Sequence, residues 1–376
     1  MGSAASALVG RYDGPGTVVH LAGRMTDQVH GFLGPATEAL SASGVKQVVV
    51  LVDAPEFRHL LPRFDASVDL VPLPHERVAW RRWGGLARLF FNTLGRPGVR
   101  AVHLHGFMPL VIGTLALLCR GKRRIAVYYS PHGSKSLGAL RALTQPALWA
   151  TRAALLPASE RAIASVPMEA NALTGLAGFS AAVIEMPVDP GFFHATHREA
   201  PVPLVLTSGR IETPRIAEIV VQMAVLMGGE DLKIHFEWVG PVDVVSAARL
   251  KAAGVGVWPV TNAEERAQRL SSAWVYVAHG RSRGFPLHLA EAMAAGLPCV
   301  AIDSPVHRGL LRHGETGFLC ADAESVWRHV ARLVDDPELR ARMGRAARRE
   351  AEQRFAHARF CEALLEAYEV ERRVSA

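Results

Sequence analysis

Arg283-Gly284-Phe285-Pro286-Leu287-His288-Leu289-Ala290-Glu291-Ala292-Met293-Ala294-Ala295-Gly296-Leu297-Pro298-Cys299-Val300-Ala301-Ile302-Asp303 is the stretch on which the fold turns. Its centre, Leu287 to Ala295, reads as an apolar helix interrupted by one carboxylate, Glu291. Gly296-Leu297-Pro298 stops that helix, because glycine accepts the conformation that closes a helix and proline cannot extend one. Cys299 to Ile302 is short, apolar and bounded by turn residues, the pattern of a buried strand. A helix, a tight turn and a buried strand form half of a βαβ unit.

Outward from this segment the same alternation continues. In the second half, Leu204 to Ser208, Lys233 to Val239, Val255 to Val257 and Trp274 to Val277 are further strand candidates, each followed by a helical pattern or a turn. In the first half the candidates are Thr17 to Ala22, Gln47 to Val52, Val68 to Val71, Ala101 to Leu104, Ile125 to Tyr129 and Ala153 to Leu156, with helical stretches such as 35–43 and 137–149 between them. Thr196 to Pro203, polar and proline-bearing, reads as a linker. The expected fold is α/β, with two Rossmann-like, doubly wound parallel-sheet domains, 1–197 and 198–354, facing a cleft. The last segment, 355–376, carries no strand and is expected to pack back as a helix on the first domain.

Length and composition agree. The chain has 376 residues, 49% hydrophobic and 20% charged, enough for two cores. Its longest apolar run, Phe107 to Cys119, is broken by Pro109 and Gly113 and is shorter than the roughly 18 to 20 residues that span a bilayer. The amino terminus lacks a basic-then-apolar leader, so a cytoplasmic location is expected. Cys119, Cys299, Cys320 and Cys361 have no paired spacing for zinc or a redox dithiol. A net charge of +7 leaves nucleic acid, anionic membrane and phosphorylated substrates as candidate partners. Nucleic acid ranks last, since no recognised module accompanies the basic stretches. The arginines from Arg328 to Arg354 alternate with acidic residues at helical spacing and read as a solvated face.

Four groups of residues could carry chemistry. Gly209-Arg210 follows the strand Leu204 to Ser208, and Arg215 lies near the start of the next helix, so two guanidinium groups flank a strand's carboxyl end, a donor set suited to a diphosphate. Gly284-Phe285-Pro286 opens the helix beginning at Leu287, whose free N–H groups can receive phosphate. Glu291, among apolar neighbours, needs either an arginine partner or a ligand hydroxyl, and the surrounding pattern favours the ligand. His132, in Tyr128-Tyr129-Ser130-Pro131-His132-Gly133-Ser134-Lys135, sits in a strand-end loop, whereas His103 and His105 on the preceding strand read as structural. Ser159-Glu160 is another strand-end polar pair, equally consistent with a helix cap.

Together these residues resemble the retaining nucleotide-sugar glycosyltransferases of the GT-B fold, family 4, over nearly the whole chain. The resemblance implies that Gly209, Arg210 and Arg215 bind the donor diphosphate, that His132 contacts the donor sugar near the bond being broken, and that Glu291, the second glutamate of a Glu-x7-Glu motif, holds the ribose. Arg210, Arg215 and His132 are then the catalytic candidates, and Gly209, Arg283, Gly284, Phe285, Pro286, Leu287 and Glu291 the donor-binding set. The first glutamate of the motif is replaced by Arg283. The family's glycine pair in the first loop is absent, with Asp27 and Gln28 near its place and Gly31 slightly later; Gly31, Ser159 and Glu160 are the acceptor-side or first-loop candidates. The implied reaction is metal-independent transfer, needing no cofactor, from a nucleotide-diphosphate sugar to a glycan or lipid-linked acceptor in bacterial polysaccharide or glycolipid synthesis. The alternative is a catalytically silent nucleotide-sugar binder of the same fold. Arg283 in place of a glutamate raises an acidic donor sugar as one expectation. The basic and aromatic stretch Arg77 to Phe91 raises peripheral contact with anionic membrane as another.

Overall fold

The computed structural model describes residues 16–120, 125–133, 138–139, 162–177, 181–211, 213–228, 233–260, 262–280 and 284–369. The described chain forms two compact units. The first takes in the chain up to Pro187, with Gly284, Phe285 and the segment from Ala358; the second takes in the rest from Val188. Each is a Rossmann-like domain built on one parallel sheet.

In the first unit the strands are β1 (Thr17–Arg24), β2 (Lys46–Asp53), β3 (Val68–Pro74), β4 (Val99–His105), β5 (Ala126–Ser130), β6 (Ala162–Ala164) and β7 (Ala181–Val183), side by side in the order 3-2-1-4-5-6-7. β1, β2, β4 and β5 are buried almost throughout, as expected of strands covered on both faces. One face packs Val19, Leu21, Val48, Val50, Val102 and Leu104 into the main core. The opposite face carries His20, Gln47, His103 and His105, because parallel pairing sets His20 beside His103 and Ala22 beside His105 and side chains alternate along each strand. Helix Asp27–Ala42 is started by Thr26, whose side chain accepts from the Val29 N–H. Its Phe32 ring meets those of His103, His105 and His132 at 5.3 to 6.2 Å.

In the second unit the strands are β8 (Leu204–Ser208), β9 (His235–Val239), β10 (Gly256–Trp258), β11 (Val275–Ala278), β12 (Cys299–Ile302) and β13 (Gly317–Cys320), in the order 10-9-8-11-12-13. In both sheets the order reverses, between β1 and β4 and between β8 and β11. The carboxyl ends of strands beside such a reversal are where this class of sheet takes ligands.

The stretch expected to link the domains belongs instead to the second one. Arg198 and Ala200 donate backbone N–H groups to Ser271 and Ser272, and Glu199 forms an ion pair with Arg340 at 2.7 Å. Those bonds fix 198–200 on the second unit, and the division of the chain falls earlier than expected, at Pro187/Val188. Arg340, read as part of a solvated face, is buried. No helix among the described residues is long and apolar enough to cross a membrane.

Candidate functional site

At the reversal in the second sheet, β8 runs into Gly209 and the half-buried Arg210. Gly209 has φ +153° and Gly240, after β9, φ +138°. A Cβ on Gly240 would fall 1.9 Å from the Gly209 carbonyl oxygen, so only glycine lets these two strand-end loops close on one another. Arg215 stands exposed in the first turn of helix Pro214–Met227, where Thr213 gives no side-chain cap. A cation there faces the positive end of the helix dipole, an arrangement that an anion would relieve. The expected diphosphate donors Gly209, Arg210 and Arg215 thus come to one strand end.

Helix Leu287–Ala294 starts after Pro286 without a side-chain cap, leaving its first N–H groups without that partner. Phe285, Pro286 and Glu291 are buried and Leu287 half-buried. Glu291 departs from the expected ligand contact. Arg266, from helix Ala263–Leu270, grips its carboxylate with two bonds of 2.6 and 2.8 Å, and His288 one turn earlier adds a third at 2.9 Å. Burial would raise the Glu291 pKa, but Arg266 and His288 together hold it down at about 2. The structure therefore realises the arginine pairing; a ribose hydroxyl would have to use the carboxylate's remaining lone pairs. Arg266 carries no motif of its own, and only the fold brings it to Glu291.

His279 closes the same strand end. It follows β11, its Nδ1 lies 3.0 Å from Thr207 Oγ1, and a Cβ on Gly209 would touch its Cε1 at 3.1 Å. Burial, with the neighbouring His288 and His307, lowers its pKa to about 4, so at neutral pH it is an uncharged ring. The sequence held a signal for it, since His279-Gly280 repeats the His132-Gly133 pattern at a strand end.

In the first unit, His132 stands just past β5 in left-handed backbone at φ +50°. Glu169 fixes this loop: its two carboxylate oxygens accept the N–H groups of Gly133 at 2.7 Å and Ser165 at 2.9 Å. Burial raises the Glu169 pKa while those backbone bonds oppose the shift. His132 Nε2 lies 2.9 Å from His105 Nδ1, and burial lowers the His132 pKa to about 3. Its Nδ1 is sealed from solvent without a hydrogen-bond partner, as is Gln28 Nε2 in the first turn of helix Asp27–Ala42. An unpaired buried polar atom costs about 1 to 3 kcal/mol, which a bound hydroxyl would recover.

His103 and His105, taken as structural, are partners of this loop. His20, His103 and His105 bring ligand atoms within 4.8 Å of one another, spacing that a metal ion could use. Each of their six ring nitrogens already has a hydrogen-bond partner, however, among Gln47, Ser130, Tyr368, His132 and one another. The set therefore reads as a hydrogen-bonded chain.

Gly31 is not in a first loop. Thr26 starts the helix at once after Met25, so Gly31 lies in its second turn and the loop after β1 is too short to hold it. Arg283, Ser159 and Glu160 lie outside the described residues. A cavity of ≈ 630 Å³ in the second unit is lined by Leu204, His235, Glu237 and Arg269. Leu204 and His235 begin their strands, so this cavity sits at the sheet's opposite edge from Arg210.

Two family models match the chain, one described as Glycosyltransferase Family 4 over residues 36–192 and one as Glycosyl transferases group 1 over residues 245–350. Among curated relatives, the lipopolysaccharide core biosynthesis mannosyltransferase LpcC of Rhizobium leguminosarum bv. viciae is 37% identical over 92 residues, 24% of this chain and 26% of the relative. The chain spans about a quarter of the length of the curated relatives it matches. A glycosyltransferase from Rickettsia africae ESF-5 superposes with a TM-score of 0.75 at 13% identity, over 96% of this chain and 100% of its own. Anabaena HepE in complex with UDP-glucose superposes with a TM-score of 0.73 at 15% identity, over 94% and 99%. At such identities the likeness establishes the shared two-domain fold.

Proposed function

This chain belongs to family 4 of the glycosyltransferases and has the GT-B fold, and from that premise we propose that it transfers a hexosyl group from a nucleotide-diphosphate sugar to a hydroxyl of a glycan or lipid-linked acceptor, with retention at the anomeric carbon. The observation that carries this reading is the placing of Arg210 and Arg215 on either side of one strand-to-helix turn at the reversal of the second sheet.

In this scheme the departing diphosphate is met by Arg210, Arg215 and the uncapped start of helix Leu287–Ala294. Fixed cationic and N–H donors aimed at developing charge stabilise a leaving group without reorganising. A metal ion has no role in the scheme. The acceptor hydroxyl attacks the face from which the nucleotide leaves and passes its proton to the departing phosphate oxygen. His132 is assigned to the donor sugar and Glu291, through lone pairs not used by Arg266 and His288, to the ribose. Arg283 remains a proposed determinant of an acidic donor sugar.

A panel of UDP-, GDP- and ADP-sugars scored for ligand-induced stabilisation tests the reading. UDP-sugars head the panel because HepE holds UDP-glucose. A true donor at a hundred times its Kd raises stability by about 2.7 kcal/mol. Arg210→Ala is expected to weaken nucleotide binding about tenfold to hundredfold, the loss of a charge-assisted bond of roughly 1.5 to 3 kcal/mol. Binding at full strength in Arg210→Ala would remove the guanidinium from the diphosphate site.

The proposed acceptor side includes a lipid surface. Helix Ala79–Thr93 exposes Trp80 at 72% and Phe91 at 38%, eleven residues apart and so on one helical face. The adjoining helix Phe107–Arg120 exposes Leu115 and Leu118, and its Arg120 lies 4.6 Å over the Phe91 ring. Arg81 and Arg88 are exposed on the first helix as well, a mix of apolar rings and basic groups suited to an anionic membrane surface.

A further inference from the structure

We propose that Gln47, His20 and His105 form a relay of hydrogen bonds that fixes the tautomer of His132, so that His132 meets the donor sugar as a hydrogen-bond acceptor through Nδ1 and selects a sugar carrying a hydroxyl at that point. The contact with the sugar rests on the family reading of His132; the relay does not.

The relay starts at a backbone carbonyl. Thr37 O can only accept, and the Gln47 amide atom facing it at 2.7 Å is therefore the NH2 group, which also reaches Ser41 Oγ at 2.8 Å. Gln47 Oε1 then points at His20 Nε2, 3.3 Å away, so the proton of the His20 ring is on Nε2. That leaves His20 Nδ1 as a lone pair, and the nitrogen facing it at 3.2 Å, His105 Nε2, must donate. His105 Nδ1 is in turn a lone pair and takes the proton of His132 Nε2 at 2.9 Å. A neutral imidazole has one N–H, so His132 Nδ1 is left bare, and it is the buried nitrogen with no partner.

One glutamine thus sets three rings in series. The relay requires each ring to be neutral, and burial holds all three well below their ordinary pKa. A tautomer is fixed by the bond its other nitrogen makes, and here that constraint passes from β2 through β1 and β4 to the loop after β5. His103 stands beside the series but is bound separately, to Tyr368 and Ser130. Because Nδ1 can accept and cannot donate, a fluorine in place of the sugar hydroxyl would lose the contact. A histidine of the opposite tautomer would tolerate that replacement. His20, His105 and Gln47 touch no substrate in this account and act by positioning His132.

The test reads the rings directly in the full chain without ligand, with 15N in the histidine side chains. Long-range proton–nitrogen correlation spectra at pH 7 distinguish protonated from bare ring nitrogens, and His20→Gln, His105→Gln and His132→Gln assign the signals. The expected pattern is Nε2–H with bare Nδ1 for His20, His105 and His132. Gln47→Leu is expected to scramble the His20 and His132 tautomers. An Nδ1–H or doubly protonated His132, or a pattern unmoved in Gln47→Leu, overturns the relay. Hydrolysis of UDP-glucose then separates the two parts of the proposal. Gln47→Leu and His132→Ala are expected to lower kcat about tenfold with KM held within about twofold, the signature of an interaction made in the transition state. An unchanged rate in His132→Ala alongside the expected spectra removes the sugar contact and leaves the relay standing.

Discussion

Glu291 holds a buried carboxylate gripped on both oxygens, by Arg266 and His288. Its pKa falls from 4.5 to about 2, so in the window between those values the unfolded chain binds a proton that the folded one does not. Stability from this ion pair is therefore complete above about pH 4.5 and fades as the pH drops towards 2. Glu291→Gln should cost roughly 3 kcal/mol at neutral pH, since it strands Arg266 in a largely buried site. Denaturant titrations at several pH values check this: the gap between wild type and variant should close as the pH falls from 4.5, and a gap independent of pH would mean the pair is not ionic. The sequence showed that Glu291 needed a partner among apolar neighbours. It could not show which, because Arg266 lies twenty-five residues away on a helix with no motif. His132 stands out in its loop, but its neighbours do not: His105 reads as structural, and His20 and Gln47 come into reach only through strand register.

Element by element, the strands most apolar in sequence were the most legible. β6, β7 and β13 are three or four residues long and too short to show a period; β6 adds to β5, β7 to β6 and β13 to β12. The Gly296-Leu297-Pro298 stop does two jobs. It ends helix Leu287–Ala294, with Gly296 at φ +81°, and its carbonyl approaches helix Pro337–Arg354 so closely that a Cβ on Gly344 would lie 2.2 Å from Gly296 O. Gly344→Ala should destabilise the second domain by about 1 to 3 kcal/mol through overpacking against backbone that cannot move aside. Thermal unfolding would check it, and a variant as stable as wild type would show that the two helices can separate. The same helix explains the misplaced linker: Arg340, in a run that reads as surface charge, turns inward to Glu199, and a charged pair across 141 residues leaves no periodic trace.

On the scale of the whole molecule, the net charge of +7 makes an anionic surface a natural partner to test. Trp80 and Phe91 on one helix of the first domain, and Leu115 and Leu118 on the neighbouring one, are exposed, and Arg120 lies over the Phe91 ring. Sedimentation with liposomes should show binding that rises with anionic lipid and falls with salt, and Trp80→Glu should weaken it severalfold, the loss of one interfacial anchor. Equal binding to neutral vesicles, or none to anionic ones, would remove the membrane from the proposed function. The sequence by itself determined the class of fold and the family, and singled out Arg210, Arg215, His132 and Glu291 as candidates, because apolar period, turn residues and local motifs are short-range signals. Tertiary structure alone decided what holds those side chains: Arg266 on Glu291, His279 against Gly209, Glu169 on the His132 loop, and the Gln47 relay. Each of these is a contact between distant strands or helices, fixed by the register of parallel strands and the packing of helices on them, and no local pattern encodes it.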